Sequence, residues 1–416
     1  MLEFYLEKFR DRIEVIEREV ALEEVSPFLK TKKPVLFKNL AGFRAIGNLW
    51  AERERIASSL NTLKEKVAEE LEKAMTNPQP TAIVSSSPLL ENVVFDFDLR
   101  KLPFPFYYKK DGGRYLTSGV VCAELGGKKN MSFHRLMVVD KKNFASRLVE
   151  RHLYTMYNES LSKGEELKIA ICIGLCPSLL LAASVSTDYK ISELEIASAL
   201  RKNTLGESVK TIILDGIEVP AFAEYVFLGR LKKELVPEGP FVDITGTYDY
   251  VRSQPLVEIE KIYHKNNPLM HVLLPGGYEH YLLMGLPREP TIFKSVSQVV
   301  PHVAGVRLTE GGCCWLHGVV SIKKQRGGDG KNAIMAAFSG HPSMKKVIVV
   351  DDDIDIYDDE EVEWAIATRF QADRDLIVVS GARGSSLDPS SEGLTAKMGM
   401  DATKPLRDGR FEKVSE

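Results

Sequence analysis

Two carboxylates stand five positions apart in Glu234-Leu235-Val236-Pro237-Glu238-Gly239-Pro240-Phe241-Val242-Asp243, on a segment stiffened by proline and turned by glycine. If Glu238 and Asp243 face one pocket, burial and mutual repulsion raise the pKa of at least one of them, as a general acid requires. The plainer alternative is a pair of solvated loop acids. A second polar group, Asn130-Met131-Ser132-Phe133-His134-Arg135, opens the apolar run Leu136-Met137-Val138-Val139 and is expected at a strand end, where sites are often built. Taken singly, an Asn or Arg there is a surface residue. Upstream, Leu102-Pro103-Phe104-Pro105-Phe106 leads into Asp111-Gly112-Gly113-Arg114-Tyr115, a glycine turn that lets backbone approach a neighbour closely.

A run of acids, Asp351-Asp352-Asp353-Ile354-Asp355 with Asp358-Asp359-Glu360-Glu361, invites a metal reading but lacks the glycine and distal glutamate of an EF-hand loop. A strand exit feeding an acidic helix N-terminus explains it more simply, because carboxylates there complement the helix dipole. Cys172 and Cys176 lie in an apolar stretch without a partner pair at zinc-finger spacing, so the five cysteines read as reduced thiols. No GxGxxG after a strand, GxxxxGK[ST] or HExxH is present, which takes weight from the common nucleotide folds and zincins.

The elements that must position these residues follow from pattern. At 416 residues the chain is too long for one ordinary core. Residues 1–85 read as an N-terminal α/β region, with a helix opened by a capping box at Thr62-Leu63-Lys64-Glu65 and closed before Asn77-Pro78. Residues 86–288 carry short alternating segments. Among them, Pro255 to Tyr263 followed by a Lys265-Asn266-Asn267 turn and Leu269 to Leu274 predicts a hairpin in an antiparallel sheet or barrel. A linker helix over 289–303 precedes a C-terminal α/β domain over 304–416, with a strand at Lys346–Val350, a helix over Asp359–Arg369 and a strand at Leu376–Val379.

Net charge of -3 gives no general attraction to nucleic acid, so a small partner is expected. The first residues, Met1-Leu2-Glu3-Phe4-Tyr5-Leu6-Glu7-Lys8, alternate charge and apolar side chains and cannot form a signal-peptide core. Lys168 and Pro177 break the apolar run from Leu167 to Ser186, which predicts a buried strand and helix rather than a membrane span. A cytoplasmic location is therefore expected. Only five glutamines occur, beside abundant Lys and Glu, a bias associated with hyperthermophiles.

Taken together and in order, Leu102-Pro103 through Asp111-Gly112-Gly113, Asn130 to Arg135, Glu238-Gly239-Pro240-Phe241 to Asp243, Val350 to Tyr357, and Lys397-Met398-Gly399-Met400-Asp401-Ala402-Thr403-Lys404-Pro405 resemble the UbiD-type decarboxylase family over nearly the whole length. The resemblance implies an α/β (α+β) multidomain fold with a central split β-barrel that binds prenylated FMN. It also implies a divalent metal on the flavin phosphate, Mn²⁺ or Mg²⁺, with K⁺ nearby. The implied metal ligands are Asn130, His152 and Glu193. Hard oxygen and imidazole donors without thiolate suit these ions. The implied cofactor contacts add Ser132, Phe133, His134, Arg135, Arg151 and Lys397. The implied catalytic set is Arg135, Glu238 and Asp243, with Arg135 orienting the substrate carboxylate, Glu238 fixing the arginine and Asp243 donating the proton. Asp stands where some members carry Glu, shortening the donor by one methylene.

The family divides between α,β-unsaturated and aromatic acids. A hyperthermophilic archaeal source would imply conversion of trans-anhydromevalonate 5-phosphate to isopentenyl phosphate in a mevalonate pathway. The aromatic alternative is a 3-polyprenyl-4-hydroxybenzoate decarboxylase of quinone synthesis. From a different class, an FMN-binding split-barrel protein or flavin reductase would not need Glu238 and Asp243. A flavin prenyltransferase is implied as cofactor supplier, and a homodimer or larger homo-oligomer formed through the C-terminal domain as the assembly.

Overall fold

The computed structural model describes residues 1–406 and 409–411. Two compact units divide the chain, Met1–Leu283 and Met284–Glu416.

The first unit begins with strands Glu14–Val20, Val35–Leu40 and Phe43–Gly47, joined from much later in the chain by Met270–His271. Its larger sheet has nine strands. Along the sheet they run Tyr115–Leu116, Leu136–Val138, Asn143–Ser146, Arg252–His264, Tyr225–Glu238, Leu167–Ile173, Val120–Leu125 and Lys128–Phe133, with Asn92–Val94 added on Arg252–His264. The pairings are antiparallel, and the middle of the sheet is covered on both faces: of Leu167–Ile173 all but Lys168 is buried. Phe104, Phe144 and Phe227 lie at the centre of the core with ring centroids 5.6 to 6.5 Å apart. Two register shifts along Tyr225–Glu238, at Leu228/Gly229 and Leu231/Leu235, add the twist that curls such a sheet. At the first of these a Cβ on Gly229 would lie 2.1 Å from the Glu258 carbonyl oxygen, so only glycine fits. The two end strands of the path do not pair with each other, which leaves a split barrel, as expected.

Three local expectations are corrected. No side-chain cap forms at Thr62 or Leu63; a 3₁₀ turn over Lys64–Lys66 precedes the helix Val67–Thr76, which does end at Asn77. The segment after Asn266-Asn267 does not fold back on Arg252–His264. Its strand, Met270–His271, instead runs parallel to Phe43–Gly47, because both edges of Arg252–His264 are already taken by Tyr225–Glu238, Asn143–Ser146 and Asn92–Val94. Asn130 lies inside a strand, Lys128–Phe133, rather than at the entrance to the next one.

The second unit is a five-stranded sheet ordered Val303–Leu308, His317–Ile322, Lys346–Asp351, Leu394–Asp401, Leu376–Arg383, with the central three parallel. Helices Glu289–Ser297, Asp329–Gly340 and Asp359–Arg369 accompany it. The acidic run is a strand exit and helix start, as read from sequence. Asp358 caps the last helix by accepting from the amides of Glu360 and Glu361. Leu167–Ile173 and Pro177–Ala182 are the predicted buried strand and helix. Among the described residues no helix is long and apolar enough to cross a membrane.

Candidate active site

The long hairpin of Tyr225–Glu238 and Arg252–His264 ends where Glu238 pairs with Arg252. Beyond that point the chain makes a small two-stranded tip, Phe241–Val242 against Tyr248–Asp249. Three acids are thereby delivered to one place: Glu238 at the strand end, Asp243 after the first tip strand and Asp249 in the second. Gly112 explains how the tip is held. Its amide donates to the Pro240 carbonyl at 2.7 Å, and a Cβ at Gly112 would come within 2.1 Å of the Gly239 oxygen.

Arg135 reaches this tip from the short link between Lys128–Phe133 and Leu136–Val138. Its Nε and Nη2 donate to the two oxygens of Glu238, each at 2.9 Å, a two-pronged contact that fixes the plane of the guanidinium. Nη1 donates to Asp243 at 3.2 Å and Nη2 to Asp249 at 3.0 Å. Glu238 is fully buried and also accepts from the Tyr115 hydroxyl at 3.0 Å, whereas Asp243 is 21% exposed. Phe241 covers one face of the guanidinium at 4.6 Å. Burial works against the Arg135 charge, but Glu238, with Asp243 and Asp249, more than offsets it and raises the pKa. Burial likewise works to raise Asp249, and Arg252 with Arg135 holds its carboxyl below the ordinary value.

The second cluster forms where two helices begin. His152 is the first residue of His152–Ser162 and Glu193 the first of Glu193–Leu205, so both side chains stand at the positive ends of helix dipoles, where phosphate binds well. One Glu193 oxygen takes the Asn130 amide at 3.2 Å and lies 3.4 Å from His152 Nδ1; the other takes the Met131 backbone amide at 2.9 Å. The Ser132 hydroxyl lies 2.9 Å from Asn130 Oδ1 and 3.0 Å from His134 Nε2. Burial lowers His134 to about 4, so its ring is neutral at pH 7 and its Nδ1–H donates to the Arg147 carbonyl at 3.0 Å. Its Nε2 is then an acceptor beside the Ser132 hydroxyl, whose single proton goes to Asn130 Oδ1.

The sequence-predicted residues thus separate into two gatherings in the first unit: Asn130, Ser132, His134, His152 and Glu193 in one, Arg135, Glu238 and Asp243 in the other. Phe133, between them in sequence, pairs with Val120 at the strand end. Arg151 is exposed and donates to the Ser186 hydroxyl at 2.8 Å. Lys397 belongs to the second unit, where its ammonium donates to the carbonyls of Pro342 and Met344 at 2.5 and 2.7 Å. Sequence reading missed Asp249, Tyr115, Arg147 and Arg252 around Arg135. No local signal in the sequence marks any of them as part of the site.

A set of Asn, His and Glu with one buried carboxylate fits a hard divalent cation. Among the described residues no group of three or more His, Cys, Asp or Glu side chains is arranged to hold a metal ion without another kind of donor.

Three family models match almost end to end: the 3-octaprenyl-4-hydroxybenzoate carboxy-lyase N-terminal domain over residues 15–75, the Rift-related domain over 81–278 and the C-terminal domain over 281–402. The anhydromevalonate phosphate decarboxylase of Methanocaldococcus jannaschii is 48% identical over 391 residues, spanning 92% of this chain and 91% of that protein. Its counterpart from Methanothermobacter thermautotrophicus is 43% identical over 422 residues and covers 99% of both. Among solved structures, the UbiD-class enzyme HmfF from Pelotomaculum thermopropionicum in complex with FMN superimposes with a TM-score of 0.96 at 36% identity, covering 100% of this chain and 97% of that one. An evolved dimeric form of the same enzyme in complex with prFMN gives 0.91 at 34%, over 100% and 96%. With all three domains matched and an arginine gripped between acids at the tip of the barrel hairpin, the chain belongs to the UbiD family of carboxy-lyases.

Proposed function

We propose that the chain is a prenylated-FMN-dependent decarboxylase that converts trans-anhydromevalonate 5-phosphate to isopentenyl phosphate. The observation that carries the reaction is the asymmetry around Arg135: one edge of the guanidinium is committed to buried Glu238, while Nη1 faces the partly exposed Asp243. The substrate assignment rests on relatives of that name at 43 to 48% identity over nearly the full length.

Asn130, His152 and Glu193 would hold Mn²⁺ or Mg²⁺, with K⁺ nearby, and the two helix N-termini would receive the flavin phosphate. A cation on Asn130 Oδ1 would free the single Ser132 proton for His134, locking both side chains. When bound, the prenylated flavin supplies the electron sink for the carbon that loses carbon dioxide.

The protein's part is charge and a proton. Arg135 Nη1 can serve either Asp243 or a substrate carboxylate. Protonation of Asp243 weakens its hold on Arg135, so the arriving carboxylate takes the guanidinium just as the acid is loaded. Asp243 then delivers its proton to carbon, and Glu238 with Tyr115 keeps the guanidinium in plane throughout. Each turnover consumes one proton, which Asp243 recovers from solvent through its exposed side.

Assembly as a homodimer or larger homo-oligomer is supported by the edge strand Leu376–Arg383, on which Val378 and Val379 are 59% and 40% exposed. A flavin prenyltransferase supplies the cofactor. Protein isolated with its cofactor and offered trans-anhydromevalonate 5-phosphate should release carbon dioxide and isopentenyl phosphate. Turnover of 3-polyprenyl-4-hydroxybenzoate alone would move the chain to the aromatic branch. Ordinary FMN by mass, with no turnover of either acid, would make it a flavin-binding protein.

A further inference from the structure

The turn Asp111-Gly112-Gly113 has so far served only as a backbone support for the hairpin tip. Its carboxyl group is more than that. Asp111 is 7% exposed; Oδ2 accepts from the Tyr108 amide at 3.0 Å, and Oδ1 has no hydrogen-bond partner among the described residues. Next to it, Gly112 is bonded to Pro240 and pressed against Gly239, so Asp111 cannot move without moving the Glu238–Asp243 connection. The turn is tied to its surroundings twice more, by Tyr248 OH accepting from the Lys110 amide at 3.1 Å and by Tyr108 OH donating to the Pro275 carbonyl at 2.7 Å.

Charge is nearly balanced at this tip. Arg135, Arg147 and Arg252 act on one another and on Glu238, Asp243 and Asp249, three cations among three acids. Asp111 is a fourth acid, and its carboxyl feels the Arg135 charge. The other titratable groups that face it are the phenols of Tyr107, Tyr108 and Tyr115, and none of these is a cation.

We infer that Asp111 is a positioning residue of this site, which fixes the Gly239–Asp243 segment through its turn and sets, by gaining or losing a proton, the positive potential that Arg135 offers to a substrate carboxylate. The inference rests on the proposed decarboxylase reading and deepens it. Burial pushes the Asp111 carboxyl up to about 6, against the pull of the Tyr108, Val242 and Tyr107 amides and Arg135. Below that pH the group is neutral; above it a further negative charge acts on Arg135 through space, and an anionic substrate binds less well.

The test uses the flavin-loaded protein and its Asp111→Asn and Asp111→Ala variants at equal loading. Wild-type KM for the acid should rise about threefold from roughly pH 5 to roughly pH 8. Asp111→Asn should hold KM at its low-pH value with kcat within about twofold, because an amide oxygen still accepts from Tyr108. Asp111→Ala should lower kcat about tenfold, and the Asn variant restores it. A KM profile in Asp111→Asn that overlays the wild type overturns the inference, and so does an Ala variant with wild-type kcat. Should the Ala variant fail to fold, the Asn profile decides alone. Infrared titration gives a readout independent of turnover: in the difference between wild type and Asp111→Asn, where the Asp351 carboxyl cancels, a protonated-carboxyl band that fades near pH 6. Absence of that band overturns the role of Asp111. A wild type that keeps the band but decarboxylates no acid overturns only the proposed function.

Discussion

Arg135 in the first unit and Arg369 in the second are both buried guanidiniums gripped from two sides by one carboxylate and touched by another. Arg369 bonds Asp353 through Nη1 and Nη2 at 2.9 and 2.8 Å and Asp351 at 3.2 Å. Its remaining reach is closed by the Phe411 carbonyl at 3.1 Å and the ring of Trp364 at 5.0 Å, and its side chain has no exposure. Asp351 is held again by the Lys404 backbone amide at 2.6 Å, and Asp353 by the Lys404 ammonium at 3.3 Å. Around Arg135 the two-pronged contact is equally firm, but among the described residues the Asp243 carboxylate is held by Arg135 and by the amide of its own neighbour Ile244 alone. The difference is the availability of the next carboxylate. Where one further residue, Lys404, holds both acids a second time, the cluster is a strut; where an acid pairs with a single guanidinium, as Asp243 does among the described residues, that guanidinium can change partners.

The largest effect that would break this contrast is at Asp243. Asp243→Asn should lower turnover about 10³-fold with flavin content unchanged, measured by carbon dioxide release on matched samples; near-normal turnover would remove Asp243 from its role. Arg369→Met should act on folding instead, destabilising by about 3 kcal/mol because it strands Asp351 and Asp353, while the folded fraction keeps its kcat. Loss of kcat without loss of Tm in that variant would erase the distinction between the clusters. Glu193→Gln should weaken metal binding 10- to 100-fold, on the order seen for disturbed ligand sets, and carry flavin away with the metal; metal analysis and the visible spectrum report both.

The smallest effect sharpens the strut. Burial raises Asp351 to about 6, with Asp353 adding to it and Lys404 and Arg369 opposing. A carboxyl whose folded pKa lies above its unfolded value binds protons more tightly when folded, so stability is gained as pH falls through 6 and lost as it rises. From pH 7 to pH 5 the wild type should gain about 1 kcal/mol relative to Asp351→Asn, read as a shift in Tm. An equal response in both proteins would mean that Asp351 titrates normally.

Much of the fold was legible because its signals are local. The helix Asp359–Arg369 has its acidic start and Asp358 cap within four residues, and Leu167–Ile173 shows its burial in composition alone. The hairpin expected after His264 failed for a non-local reason: a turn states that the chain reverses, while the sheet it joins depends on which strand edges remain free. The capping box failed because Thr62 sits ahead of a 3₁₀ turn rather than at the helix start.

The site divides in the same way. Residue types and order marked Asn130, Arg135, Glu238 and Asp243, and the linear chain was enough to read the proline-glycine stiffening of the acidic segment and the family. Only the tertiary structure decided that Asp249, Tyr115 and Asp111 share the space of Arg135, and that Glu193 and His152 meet at the ends of two helices. The physical reason is distance along the chain. Contacts between residues 20 to more than 100 positions apart are fixed by how strands curl and where hairpins end, which depends on packing summed over the whole sheet and leaves no mark on the residues that happen to meet.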